Sequence, residues 1–229
     1  ITITILAGMI AFRMTPGLLA QEMAEQRGSD NIEVVSHLPL GAPGSVSDIE
    51  IEQDMSRPFV YIGREVFGVG SGMERGMDII DISDPASPEV IHRWRIEDSD
   101  LHVGAGGKDL KYFKWNDRSY VVLSIQFRQG GPNADLGAII FDVTGLPDVS
   151  TFKEVARIQG HRQLGGFHNI FVYKHSNGRP LLFSTTASPT AHVYDLGYVV
   201  DGRLDEALVA EVPVPLESQR AYHDFYIGY

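Results

Sequence analysis

Gly76-Met77-Asp78-Ile79-Ile80-Asp81-Ile82-Ser83-Asp84-Pro85-Ala86-Ser87-Pro88 is the stretch on which the fold turns. Met77 to Ile82 alternates as an apolar strand, and Ser83 to Pro88 is an acidic, proline-bounded turn. Glu89-Val90-Ile91 restarts as a second strand. Asp and Pro do not serve the interior of a central ladder, so the segment reads as strand, turn and returning strand.

Working outward, the same grammar recurs. A small or polar residue followed by Asp or Asn opens an alternating apolar run at Ser47-Asp48, Lys108-Asp109, His168-Asn169 and His223-Asp224, at spacings of 61, 60 and 55 residues. After each complete copy come a polar turn and a second strand: Phe59 to Ile62, Tyr120 to Leu123, and Leu181 to Phe183. A third strand carries Asp near its end, at Asp81, Asp142 and Asp195. A fourth follows at Glu89 to Trp94, Glu154 to Ile158 and Leu208 to Val212. No convincing helix interrupts them; the best candidate is one or two turns within residues 202–208.

Four short strands per repeated unit is the pattern of β-propeller blades. The expectation is an all-β propeller over residues 32–229, with blades at 47–98, 107–160 and 167–216 and the start of another at 222–229. Glu33 to Leu38 resembles a fourth strand without its first three, so 32–40 is expected to be an orphan outer strand. Three copies and one opening strand do not close a ring, which predicts an N-terminal portion of a longer chain.

The Gly76 to Pro88 stretch resembles the LVIVD repeat of secreted bacterial and archaeal β-propellers. Gly137 to Pro147 keeps the strand, the Asp and one proline; Ala191 to Leu196 keeps the strand and the Asp. The resemblance implies a propeller at the cell surface or in the periplasm, and no single activity.

Residues 1–12 are an apolar run ended by Arg13. As a helix they would reach ~18 Å, against a hydrocarbon core of ~30 Å. Residues 1–21 therefore read as a signal-like or anchor segment, with a polar linker at 22–31. A net charge of −11 argues against nucleic acid as a partner, since phosphate contact needs clustered Lys and Arg. With no cysteine, disulfides, thiolate metal sites and a cysteine nucleophile are excluded.

Candidate chemistry concentrates where the first strands begin. In a propeller these strands line a channel, which would make His168 and His223 neighbours, with His102 and His161 close in sequence to the same starts. Imidazoles so placed could hold a divalent metal, Cu, Zn, Fe or Ca, with Asp109, Asn169 and Asp224 orienting them. The competing reading gives these residues to strand-start turns. Asp81, Asp142 and Asp195 are expected to satisfy turn amides rather than to act as paired acids. The acidic runs Asp48 to Asp54 and Glu97 to Asp100 read as solvated loops, and the glycine clusters 68–72 and 104–107 as loops of a propeller face.

The leading expectation is a non-enzymatic interaction or scaffold module outside the cytoplasm. It would have a protein partner and a membrane or membrane-complex contact through residues 1–21. The alternative is a propeller metalloenzyme, an oxidoreductase or hydrolase, built on the channel histidines.

Overall fold

The computed structural model describes residues 31–41, 45–66, 74–129, 133–160, 165–186, 188–215 and 221–228. Within them the protein is all-β: β1 (Ser45–Ile51), β2 (Phe59–Glu65), β3 (Gly76–Asp81), β4 (Glu89–Arg95), β5 (Val103–Trp115), β6 (Arg118–Gln129), β7 (Leu136–Asp142), β8 (Lys153–Gln159), β9 (Ile170–Lys174), β10 (Pro180–Ser184), β11 (Thr190–Asp195) and β12 (Leu208–Pro213). Two short helices, α1 (Leu196–Val200) and α2 (Leu204–Ala207), sit between β11 and β12. No helix among the described residues is long and apolar enough to cross a membrane. The expected anchor at 1–21, and all of the expected linker at 22–31 but its last residue, lie outside the described residues.

Each of the three runs β1–β4, β5–β8 and β9–β12 is an antiparallel meander, every strand pairing with the one before it. The first two join into one eight-stranded sheet through the Glu65–Gly106 bridge, and the third is a separate four-stranded sheet. The eight-stranded sheet curls into half a barrel, which turns its two halves toward each other.

Strand alternation explains the stacking. On β2 and β3, Phe59, Tyr61, Met77 and Ile79 face one way and pack with Val121, Leu123, Ile139 and Phe141 of the second meander. The opposite faces of β6 and β7, with Tyr120, Val122, Ala138 and Ile140, meet Ile170, Leu182 and Tyr194 of the third. The middle meander is thus covered on both faces, so β7 is buried at every position. Each fully buried aliphatic or aromatic side chain here contributes about 1.5–3 kcal/mol. The last strand of each meander is more exposed and carries the charges that discourage edge-to-edge pairing, as in Glu89-Val90-Ile91-His92-Arg93-Trp94-Arg95.

Arginines 61 residues apart open the second strands. Arg118 pairs with Asp142 and Arg179 with Asp195. Arg57 instead holds Glu52 at 2.6 Å and donates across to the carbonyls of Val143 and Thr144, fastening the first meander to the second. The Asp at each third-strand end accepts a turn amide two residues on: Asp81 from Ser83, Asp142 from Thr144, Asp195 from Gly197. That is the turn chemistry expected of them.

The expected orphan strand and the expected start of a fourth unit form no ladder. Ile32 makes an isolated bridge, and residues 33–40 have no regular structure, with Leu38 and Leu40 packed on Val60, Ile62 and Ile80. Residues 221–228 have no regular structure, and Phe225 rests 6.0 Å from the Phe183 ring. Strand geometry needs a neighbour to supply a run of hydrogen bonds, and beyond the single Ile32 bridge neither segment forms one among the described residues.

Candidate functional site

The first strands carry the site. Asp48 on β1 accepts the amide of Leu110 on β5 (3.1 Å), and Asp109 on β5 accepts the amide of Ile170 on β9 (2.7 Å). Two residues further along β1, Glu50 accepts the amide of Tyr112 (3.0 Å). Carboxylates of one first strand thereby satisfy amides on the free edge of the next, where no backbone ladder reaches. The acidic run beginning at Asp48, expected to be a solvated loop, supplies such staples between first strands at Asp48 and Glu50; Glu52 further along it is buried against Arg57 and Tyr61.

Behind the staples, hydroxyls lock the strand starts. Ser47 Oγ donates to the Gly107 carbonyl (2.8 Å) and Ser124 Oγ to the His168 carbonyl (3.1 Å). Ser124 Oγ accepts the Asp109 amide, and Thr185 Oγ1 the Asn169 amide, each at 2.9 Å. Glycine supplies the clearance nearby. Gly106 has φ +97°, and a Cβ there would come within 2.7 Å of the fully buried Arg75 stem. The glycine-rich stretch 104–107 is thus part of a strand and a packing seam.

The four pairs expected at strand starts, Ser47-Asp48, Lys108-Asp109, His168-Asn169 and His223-Asp224, come together around one open cavity of about 510 Å³ that Ile170, Phe171 and Phe225 also line, although Lys108-Asp109 lies mid-strand in β5 and His223-Asp224 outside any strand. Lys111 reaches into it, bridging Asp48 (3.0 Å) and Asp109. Lys108 pairs with Glu65 at 2.8 Å. Burial, and then the neighbouring Asp48 carboxyl, pushes Asp109 up to about 7 against the pull of Lys111. Burial also works against ionisation of Asp48, but its hydrogen bonds with Asp109 and Leu110 and the Lys111 ammonium hold it below the ordinary value. The two carboxyls titrate as a pair.

Of the sequence-predicted histidines, His168 and His223 stand edge to face with ring centroids 4.9 Å apart. Burial lowers the pKa of His168, and so do Lys108 and His223, which keeps it neutral near pH 7. The expected orientation by Asp109, Asn169 or Asp224 is replaced by Gln126. Its Oε1 lies 2.9 Å from His168 Nδ1. Gln126 lies mid-strand on β6, and nothing in its local sequence pattern sets it apart. His102 is placed elsewhere: it is buried, stacked 4.1 Å from Phe127, with Nε2 beside the Glu97 carbonyl and Asn133. His161 lies outside the described residues. Among the described residues no group of three or more His, Cys, Asp or Glu is arranged to hold a metal ion.

The acidic run at Glu97 is anchored as well. Arg157 grips the Glu97 carboxylate and lowers its pKa to about 2. No protein-family model, no curated protein and no solved structure matches the chain.

Proposed function

We propose that the chain forms blades of an LVIVD-type β-propeller, working outside the cytoplasm as a recognition module that receives a protein partner at its strand-start cavity. The observation that supports it most is the recurrence of the Asp48–Leu110 and Asp109–Ile170 staples, 62 and 61 residues long. Three meanders stacked face to face, their first strands side by side around one cavity, fit blades arranged about an axis. A cavity whose charges are matched within the protein, Lys108 on Glu65 and Lys111 on two carboxylates, suits recognition of a complementary polar surface.

The test is a photo-crosslinking side chain in place of Tyr226, which is 90% exposed beside the cavity-lining Phe225. One discrete crosslinked partner is expected, and it should disappear when Lys108→Glu reverses a cavity charge. A crosslink indifferent to Lys108→Glu would remove the cavity from the reading. Residues 1–30 fused to alkaline phosphatase should give extracytoplasmic activity; a cytoplasmic, inactive fusion would contradict export.

A second reading, a metalloenzyme of oxidoreductase or hydrolase type, is favoured by the His168–His223 pair alone. Turnover that is lost on chelation and restored by one added ion per chain would support it.

A further inference from the structure

We infer that His168 and His223 bind a single imidazole-preferring divalent ion, Cu²⁺ or Zn²⁺, with water completing its coordination. The inference deepens the second reading by naming the ligands and the class of ion, but does not require turnover.

Three observations carry it. Two imidazoles sharing an ion through nitrogens ~2.0–2.1 Å away hold their ring centroids roughly 5 Å apart at a tetrahedral angle. The rings of His168 and His223 stand at that separation, 4.9 Å between centroids with 64° between their planes. Secondly, Gln126 Oε1 at 2.9 Å accepts the proton on His168 Nδ1 and so leaves the lone pair on Nε2. This is how the partner of a ligating histidine fixes its tautomer and ring orientation. Thirdly, His168 is held in place by its backbone: its carbonyl accepts Ser124 Oγ (3.1 Å) and its amide donates to Thr185 O (3.3 Å). The cavity is open, so water can occupy the remaining positions, as at an exchangeable rather than a caged site.

The experiment titrates the chelator-treated full chain with Cu²⁺ alone and reads electron paramagnetic resonance. One ion per chain is expected, with hyperfine structure from two imidazole nitrogens. His223→Asn, on an exposed segment outside the sheets, should lower affinity at least tenfold with the unfolding temperature unchanged. Gln126→Ala should weaken binding about tenfold while both imidazole signals persist, the loss typical of removing a ligand's orienting partner. No stoichiometric binding overturns the inference. So does wild-type affinity in His223→Asn or His168→Asn, or loss of binding in His161→Asn alone. An ion bound without turnover upholds the site and removes the metalloenzyme; no ion removes both and leaves partner recognition standing.

Discussion

Asp109 is clasped by Lys111, by the Ile170 amide and by the neighbouring Asp48, and it keeps its proton until about pH 7. In the unfolded chain the same carboxyl titrates near 3.8. Between those values the folded state holds more protons, so the stability Asp109 contributes is complete below the ordinary carboxylate range and is lost as pH rises through 7. Asp48, whose pKa is lowered, runs the other way and loses its contribution in acid. Urea midpoints of the wild type should therefore fall between pH 5 and pH 8 more steeply than those of Asp109→Asn; parallel profiles would contradict the assignment. At Gly106, alanine meets both the positive φ and the Arg75 stem. Gly106→Ala should cost about 1–3 kcal/mol or more by denaturant titration; an unchanged midpoint would show that Arg75 can move aside. The candidate histidines could be found from their place in the repeat, because equivalent strand positions converge. Gln126 could not, since its role depends on which side chain the adjoining meander brings opposite it.

Among the elements, the twelve strands were legible because alternation and turn chemistry coincide in each meander. Their lengths were not: β5 runs from Val103 to Trp115 because Gly106 and Gly107, in a glycine-rich stretch that suggests a loop, admit close backbone and Arg75 packing within a strand. Helix α1 was missed because Asp195 looked only like a strand terminus, whereas its side chain also caps the amides of Gly197 and Tyr198. Asp195 adds the Arg179 pair to that cap, while Asp81 accepts one exposed turn amide. Asp195→Ala should thus cost about 2 kcal/mol, and Asp81→Ala about a quarter of that. The reverse order in equilibrium unfolding would show that the two turns are not doing the jobs assigned to them.

For the whole molecule, the third meander shares no strand ladder with the second; side-chain packing, the Asp109 staple and the hydrogen bonds of Ser124 and Gln126 to His168 join them. Leu182→Ala should cost about 2–5 kcal/mol. By hydrogen exchange, protection should drop across β9 to β11 while β2 and β3 keep theirs; uniform loss would mean that the two sheets open as one. The order of the meanders was readable from the repeat, but their joining was not, because the Glu65–Gly106 bridge is one pair of residues without a pattern of its own. The staples also have a consequence in time. Asp48 leaves the ribosome 62 residues before the amide it accepts, an interval of about 3–12 seconds at roughly 5–20 residues per second. Until then its carboxylate can only be solvated, and the clasp closes when the next first strand is delivered. Asp109 then waits a similar interval for Ile170. Each of the first two meanders is born carrying the unfilled half of a joint, so assembly from the N-terminus has a built-in direction and a clock set by translation.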